Sequence, residues 1–196
     1  QAIRFALIAG TNITYKILYN DAVAMTGGQG NDGDLGADQI CRELLAMGVK
    51  NVALVYDNKE EIDLSDFPSA VTRDERSELP AVQERLRNIN GVSAIVYVQT
   101  CAAEKRRRRK RGLFPDPDTR VFINTDICEG CGDCGVQSNC VSIVPVETEF
   151  GRKRAIDQSS CNKDLSCVNG FCPSFVTVSG GEIRKKASQS IDLPDM

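Results

Sequence analysis

The sequence predicts an α/β domain with a parallel sheet, followed by a small α+β domain. Two observations lead to this fold class. In the first 100 of the 196 residues, apolar strand-like segments alternate with helix-like segments, an order typical of a parallel sheet flanked by helices. Beyond about residue 120 the composition changes, and seven of the nine cysteines fall between Cys128 and Cys172.

Local patterns place the elements of the first domain. Gly10 and Gly48 each follow a helix-like segment, where glycine commonly ends a helix. Residues 57–77 are polar and are expected to form a loop. The predicted elements are, in chain order, the last turns of a truncated helix over Ala2–Ala9, a strand over Ile13–Tyr19, a helix over Ala37–Met47, a strand over Val52–Tyr56, a helix over Leu79–Ile89 and a strand over Val92–Val98.

The composition limits the possible classes of function. The chain has no histidine, which excludes His-dependent zinc sites and catalysis by Ser–His or Cys–His pairs within it. No apolar run approaches the roughly 18–20 residues of a membrane helix, and we expect a cytoplasmic protein. Cysteines clustered beside an ordinary α/β segment indicate a metal site in a reducing compartment rather than a disulfide scaffold. Cys41 and Cys101 lie outside the cluster and are interpreted as structural.

The clustered cysteines form two runs with a recognisable spacing. The first is Cys128-x2-Cys131-x2-Cys134-x5-Cys140, and the second is Cys161-x2-Asp164-x2-Cys167-x4-Cys172-Pro173. Ferredoxins with two clusters use Cys-x2-Cys-x2-Cys-x3-Cys-Pro twice, so the loops before the last cysteine are longer here. Zinc is the alternative for Cys-x2-Cys pairs, but three cysteines in one loop suit an iron–sulfur cubane better.

The same pattern assigns the ligands, because the fourth cysteine of each run binds the cluster of the other run. Asp164 stands where the second run would have its middle cysteine, either as a ligand or as a solvated surface carboxylate. A carboxylate holds iron less firmly than a thiolate, so the second cluster would be an Asp-ligated 4Fe–4S or a 3Fe–4S cluster. The predicted ligands are Cys128, Cys131, Cys134 and Cys172 for the first cluster, and Cys140, Cys161, Cys167 and Asp164 for the second.

A glycine-rich loop follows the first predicted strand. Loops at the carboxyl ends of parallel strands are where α/β proteins hold cofactors, and glycines let backbone N–H groups approach a diphosphate. The side-chain oxygen of Asn20 and the carbonyl of Ala22 could bind Mg²⁺, which prefers oxygen ligands. A glycine-rich connector in any α/β fold would have a similar sequence, so this loop alone predicts little.

Three stretches carry a family resemblance: NITYKILYNDAVAMTGGQ, CEGCGDCGVQSNC and FGRKRAIDQSSCNKDLSCVNGFCPSF. Together they resemble the fused indolepyruvate ferredoxin oxidoreductases, which are thiamine-diphosphate-dependent 2-oxoacid:ferredoxin oxidoreductases. The resemblance extends from residue 1 to about 180. It implies that residues 1–100 are the C-terminal part of a thiamine-diphosphate-binding domain, that 101–119 are a basic and Pro-rich linker, that 120–178 are a ferredoxin-like iron–sulfur domain and that 179–196 are a linker or tail.

The resemblance also implies a cofactor site. In the family, an upstream Gly-Asp-Gly motif, an Asn and a backbone carbonyl two residues later bind Mg²⁺, which corresponds here to Asn20 and Ala22. The TGGQ motif near the cofactor corresponds to Thr26, Gly27, Gly28 and Gln29, and Asp21, which lies between Asn20 and Ala22, is also expected to bind the cofactor. The Gly-Asp-Gly motif and the glutamate that activates thiamine are absent from this chain, and we expect the chain to be inactive alone.

The implied reaction is the oxidative decarboxylation of indolepyruvate or another aryl pyruvate to an acyl-CoA, with electrons passing through the clusters to ferredoxin. CoA, ferredoxin and the rest of the same enzyme are the implied partners, a homo-oligomer is expected, and neither nucleic acid nor a membrane is. The family carries 4Fe–4S clusters, so the missing eighth cysteine leaves the type of the second cluster open. The alternative is a stand-alone iron–sulfur electron-transfer protein with an inert α/β domain.

The basic run Lys105–Arg111 is not explained by the resemblance. We expect a solvated arm that anchors the hinge to acidic neighbours. Nucleic-acid binding or nuclear import is a second interpretation, although no aromatic residues are interleaved with the run. Docking of an acidic ferredoxin or of the CoA phosphates is a third.

Overall fold

The computed structural model describes residues 1–20, 22, 23, 29, 33 and 35–181. The chain divides into two compact units, Gln1–Arg107 and Arg108–Met196. Among the described residues, no helix has both the length and the apolar character that crossing a membrane requires.

The first unit contains a four-stranded parallel sheet, which confirms the α/β prediction. Its strands are β1 (Ile13–Tyr19), β2 (Asn51–Tyr56), β3 (Val71–Glu75) and β4 (Val92–Val98), in the order β1-β4-β2-β3. The register aligns the strand ends, with Tyr19 beside Val98, and Val98 beside Tyr56. The loops after the four strands therefore emerge side by side along one edge of the sheet.

Helices cover both faces of this sheet. Helices α1 (Ala2–Ile8) and α2 (Ala37–Ala46) pack on one face, where Cys41 and Leu44 meet the even-numbered residues of β2. Helix α3 (Leu79–Arg87) packs on the other face, where Val82 and Leu86 meet the odd-numbered residues. Successive side chains of a strand point to opposite faces, so the mainly apolar residues of β2 and β4 contribute to the hydrophobic cores on both faces of the sheet.

The expectation of a loop over residues 57–77 is wrong. This segment contains β3, which pairs in parallel with β2, and two short 3₁₀ helices, Leu64–Asp66 and Arg76–Glu78. As an edge strand, β3 has neighbours on one side only, and Val71 is its only fully buried residue. Its sequence, VTRDE, therefore lacks the apolar run that identifies the central strands.

The described part of the second unit, up to residue 181, has four short strands in two antiparallel pairs. Strand β5 (Arg120–Ile123) pairs with β8 (Phe175–Val178), and β6 (Ile143–Thr148) forms a hairpin with β7 (Gly151–Ile156). Helix α5 (Asp133–Ser138) lies between β5 and β6 in the chain, and a 3₁₀ helix, Ser166–Val168, lies between β7 and β8. The first and last of these strands in the chain thus pair with each other, and the two middle strands pair with each other.

The basic run does not form the solvated arm that we expected. It makes up most of helix α4 (Ala102–Lys110), which contains the boundary between the two units. Within the first unit, Lys105 is buried and forms an ion pair with Glu60. The helix has no apolar stripe, but Ala, Glu, Lys and Arg all have high helix propensity.

Candidate metal centres

The four ligands predicted for the first cluster line one cavity of about 220 Å³. Cys128 and Cys134 are buried, and burial together with the charges of Cys128 and Cys131 raises the pKa of the Cys134 thiol. Cys172, from the second run, completes the set. The cavity is also walled by apolar side chains, namely Ile123, Ile127, Phe171, Pro173 and Phe175.

Two glycines shape the loop around this cavity. Gly130 and Gly132 have φ angles of +72° and +82°, in the left-handed region that favours glycine. A Cβ atom at Gly130 would also collide with the backbone carbonyl of Arg152, so the loop approaches β7 closely. The Gly130 N–H donates a hydrogen bond to Cys128 Sγ at 3.4 Å, as expected for a peptide that stabilises a metal-bound sulfur.

The ligands predicted for the second cluster also lie near one another. Burial, and then the charges of Cys161, Cys140 and Asp164, raise the pKa of the Cys167 thiol to about 11. Two of the sulfurs accept backbone hydrogen bonds, Cys140 Sγ from Ser142 N–H and Cys161 Sγ from Lys163 N–H, each at 3.4 Å. The two runs meet where α5 contacts the 3₁₀ helix Ser166–Val168.

The two ligand loops share one backbone conformation. In the first loop the left-handed residues are Gly130 and Gly132, which flank Cys131. In the second they are Lys163 and Leu165, with φ angles of +55° and +62°, and they flank Asp164. Each left-handed residue occupies the same position relative to the first cysteine of its run. Asp164 is therefore the structural equivalent of Cys131.

The Asp164 side chain follows the local pattern of the cysteine ligands. Its Oδ1 atom accepts hydrogen bonds from Ser166 N–H at 3.3 Å and from Ser166 Oγ at 3.1 Å. Cys128, Cys140 and Cys161 likewise accept the N–H of the second residue after them. The spacing in the sequence predicts this equivalence but not the left-handed backbone on either side of Asp164, because neither Lys163 nor Leu165 is a residue type that identifies a left-handed position.

Among the described residues, no three His, Cys, Asp or Glu side chains converge closely enough to hold a single metal ion. The ligands of a cubane each bind a different iron atom. The ligands of a cubane therefore surround a volume rather than converge on one point, and the four cysteines of the first set line a cavity.

The predicted thiamine loop is described only in part. Asn20 directly follows β1, and its Oδ1 accepts the Ala22 N–H at 3.3 Å in a tight turn. Val23 and Gln29 pair in an antiparallel bridge. Asp21, Thr26, Gly27 and Gly28 lie outside the described residues. Asn20 and Ala22 are thus adjacent at the carboxyl edge of the sheet, where the sequence predicts them.

Sequence reasoning missed a polar network at the same edge. The buried carboxylate of Asp57 accepts hydrogen bonds from Lys59 N–H at 3.0 Å, from Gln99 Nε2 at 3.1 Å and from Arg76 Nη1 at 3.3 Å. Burial alone would raise the pKa of Asp57, but the Lys59 hydrogen bond and the charges of Lys105 and Arg76 lower it below the ordinary value. The network ties together the loops that follow β2, β3 and β4. In the sequence, the position of Asp57 directly after an apolar strand is the feature that could have indicated this network.

The two remaining cysteines are separate from these sites. Cys41 is fully buried in the core between α2 and the sheet, and burial raises its pKa to about 11, with a further contribution from Asp38. Cys101 is half-buried just before α4.

Comparisons of the chain with protein-family models, with curated proteins and with solved structures gave no match.

Proposed function

We propose that this chain is the electron-transfer part of a 2-oxoacid:ferredoxin oxidoreductase that acts on indolepyruvate or another aryl pyruvate. In this proposal the second unit holds two iron–sulfur clusters. The observation that supports it is that the last cysteine of each run lies with the cysteines of the other run. Cys172 joins Cys128, Cys131 and Cys134 around one cavity, while Cys140 lies with the second run near Cys167. This exchange is the arrangement of two-cluster ferredoxins.

The order of elements in the second unit supports the same proposal. Strand, helix, strand, strand, 3₁₀ helix and strand follow one another along the chain. This is the β-α-β-β-α-β order of ferredoxin-like folds, with a 3₁₀ helix in place of the second α-helix. The repeated conformation of the two ligand loops fits a duplicated module with one cluster for each loop.

The chain's own residues would hold and tune the clusters. Iron–sulfur clusters bound here would accept and pass on one electron at a time. The N–H groups of Gly130, Ser142 and Lys163 point at ligand sulfurs and would stabilise their negative charge. The half-buried Ile123 and Phe175 would shield part of the metal from water, while Cys131 lies on the exposed side.

The thiamine half of the proposal is supported by the resemblance and by the turn at Asn20. Thiamine diphosphate with Mg²⁺ supplies the decarboxylation chemistry in the complete enzyme. The part of this chain would be to present the Asn20 side chain and the Ala22 carbonyl to the metal ion. The polar network around Asp57 would keep the neighbouring loops in place.

Iron and sulfide analysis of anaerobically prepared chain tests the cluster proposal. Two 4Fe–4S clusters give about eight iron atoms per chain, and about seven if the second is 3Fe–4S. The Cys131→Ala and Cys172→Ala substitutions remove ligands of the same cluster, so combining them should lose little more iron than either alone. Combining Cys131→Ala with Cys140→Ala should abolish both clusters.

Cys101→Ala is the matched control, because Cys101 is half-buried but belongs to neither ligand set. It should retain the full iron content. Additive iron loss in the Cys131→Ala, Cys172→Ala double variant would show that these residues serve different clusters and would reject the exchanged ligand assignment.

A further inference from the structure

Three cations of the second unit share one carboxylate. Arg109, Arg120 and Lys163 have side chains that are only 12, 13 and 7% exposed, and each lies within 4.0 Å of Asp116, which is 47% exposed. Among the described residues, Asp116 is their only carboxylate partner within that distance. Charges shielded from water require compensation, and one carboxylate leaves an excess of positive charge.

This positive charge is attached to the second ligand loop. Arg109 Nη1 donates to the carbonyl of Asn162 at 2.6 Å, directly beside Cys161. The same guanidinium lies over the Phe114 ring, 5.4 Å from its centroid, and its Nε donates to the Pro115 carbonyl at 2.9 Å. Lys163 donates its backbone N–H to Cys161 Sγ and its Nζ to Asp116. Arg109 is thus bound to the backbone of the loop that carries Cys161, and Lys163 belongs to that loop.

The first cavity has the opposite balance of charge. Glu129, Asp133 and Arg154 are the charged residues that line it, which gives two carboxylates and one guanidinium. Its ligands Cys128 and Cys134 are buried as well. Both the acidic lining and the burial disfavour adding an electron to a cluster that is already negatively charged.

We infer that the second cluster has the higher reduction potential of the two, because Arg109 and Lys163 hold positive charge against its Cys161 loop. The inference rests on the proposed function. Reduction adds one negative charge to a cluster, and nearby cations that are shielded from solvent stabilise that charge. The first electron given to the module therefore resides on the cluster bound by Cys140, Cys161, Cys167 and Asp164.

A redox titration of the full chain tests this inference. The chain is loaded with iron and sulfide anaerobically, then reduced stepwise with dithionite in the presence of mediator dyes, and each cluster is followed by EPR. We expect two separate midpoint potentials. Arg109→Gln should lower the higher potential by about 59 mV, a tenfold change in the one-electron equilibrium, and leave the lower one unchanged. Arg109→Lys retains the charge and should restore most of the higher potential.

Two further variants assign the potentials to their clusters. Lys163→Gln should also lower the higher potential, whereas Arg154→Gln should lower the other. Arg111→Gln is the matched control, since it removes a charge from the same basic run at an exposed position. It should shift neither potential.

The inference is overturned if Arg109→Gln shifts the lower potential or neither, or if Arg109→Lys and Arg109→Gln have equal effects. If the Arg109→Gln variant fails to retain the second cluster, the Lys163→Gln variant is the test. A higher potential that is the same in Lys163→Gln as in the wild-type chain then overturns the inference. A wild-type chain that takes up no iron would instead reject the proposed function.

Discussion

At the scale of single residues, Asp164 carries the most information about the second site. It lies between two left-handed residues, Lys163 and Leu165, neither of which is a glycine. Left-handed backbone at non-glycine residues costs on the order of 1–3 kcal/mol each and persists only where the surroundings enforce it. The contacts of Arg109 with Asn162 and of Lys163 with Asp116 and Pro117 provide that enforcement. The strain supports a functional role for the residue between them.

Asp164→Cys should make the second cluster more resistant to loss of iron. A thiolate holds iron more firmly than a carboxylate, so the corner at Asp164 is the labile one in the proposed site. Mild oxidation of the anaerobically loaded chain should convert only the second cluster to the 3Fe–4S form, detected by EPR. The variant should suppress this conversion, while the first cluster, with four thiolates, survives in both proteins. Identical loss of iron from parent and variant would show that Asp164 is not a ligand.

At the scale of secondary structure, the sequence predicts the elements that have a clear apolar or β-branched pattern. The bounds of β1 and β4 agree with the predicted strands, and α2 and α3 lie where helical spacing and the glycines that follow indicate. Strand β1 is an edge strand too, but its sequence ITYKILY is rich in β-branched and aromatic residues, whereas β3 (VTRDE) escapes prediction because Val71 is its only apolar residue. Helix α4 escapes because no apolar stripe marks it, although its residues favour helix.

The candidate site is predictable to a similar extent. Spacing alone predicts the eight proposed ligand positions, because a cubane needs thiolates at fixed intervals along a tight loop, and the structure brings the four positions of the first set to one cavity. The side-chain contacts that hold the proposed ligand loops in place depend on tertiary structure, and no short-range sequence pattern predicts them. Arg109, for example, reaches the Asn162 carbonyl from a distant part of the sequence.

Asp57→Asn should destabilise the first unit by about 1–3 kcal/mol at pH 7, since the substitution removes a charge that three donors satisfy. Because the folded-state pKa lies below the unfolded value of about 3.9, the carboxylate contributes stability above that pH and loses it as pH falls through the folded pKa. The difference between wild type and variant should therefore shrink below about pH 4. Urea denaturation followed by circular dichroism at pH 7 and pH 3 measures both effects.

Asp66→Asn makes the same chemical change at an exposed carboxylate of the same unit. It should alter the free energy of unfolding by less than about 0.5 kcal/mol. A variant at Asp57 that behaves like this control would show that the network does not stabilise the loops at the carboxyl edge.

At the scale of the whole molecule, the two units supply different parts of the proposed reaction. The first unit contributes Asn20 and Ala22 at the carboxyl edge of a parallel sheet, where α/β proteins bind cofactors. The second contributes the two sets of side chains that we propose as iron ligands. The resemblance places further groups needed for decarboxylation, the Gly-Asp-Gly motif and a glutamate, in sequence that this chain does not contain. Electron transfer and decarboxylation should therefore be separable in this chain.

The loaded chain should exchange electrons without turning over a 2-oxoacid. Dithionite should reduce its clusters, and the reduced chain should pass electrons to an added ferredoxin, because both cluster sites are complete within the second unit. With thiamine diphosphate, Mg²⁺, CoA and indolepyruvate supplied instead of dithionite, we expect no reduction of ferredoxin, since half of the Mg²⁺ site and the activating glutamate are missing. The two assays share one protein preparation, so the dithionite reaction shows that the clusters are intact when the substrate reaction fails. Reduction of ferredoxin by indolepyruvate with this chain alone would contradict the division of the site between this chain and the rest of the enzyme.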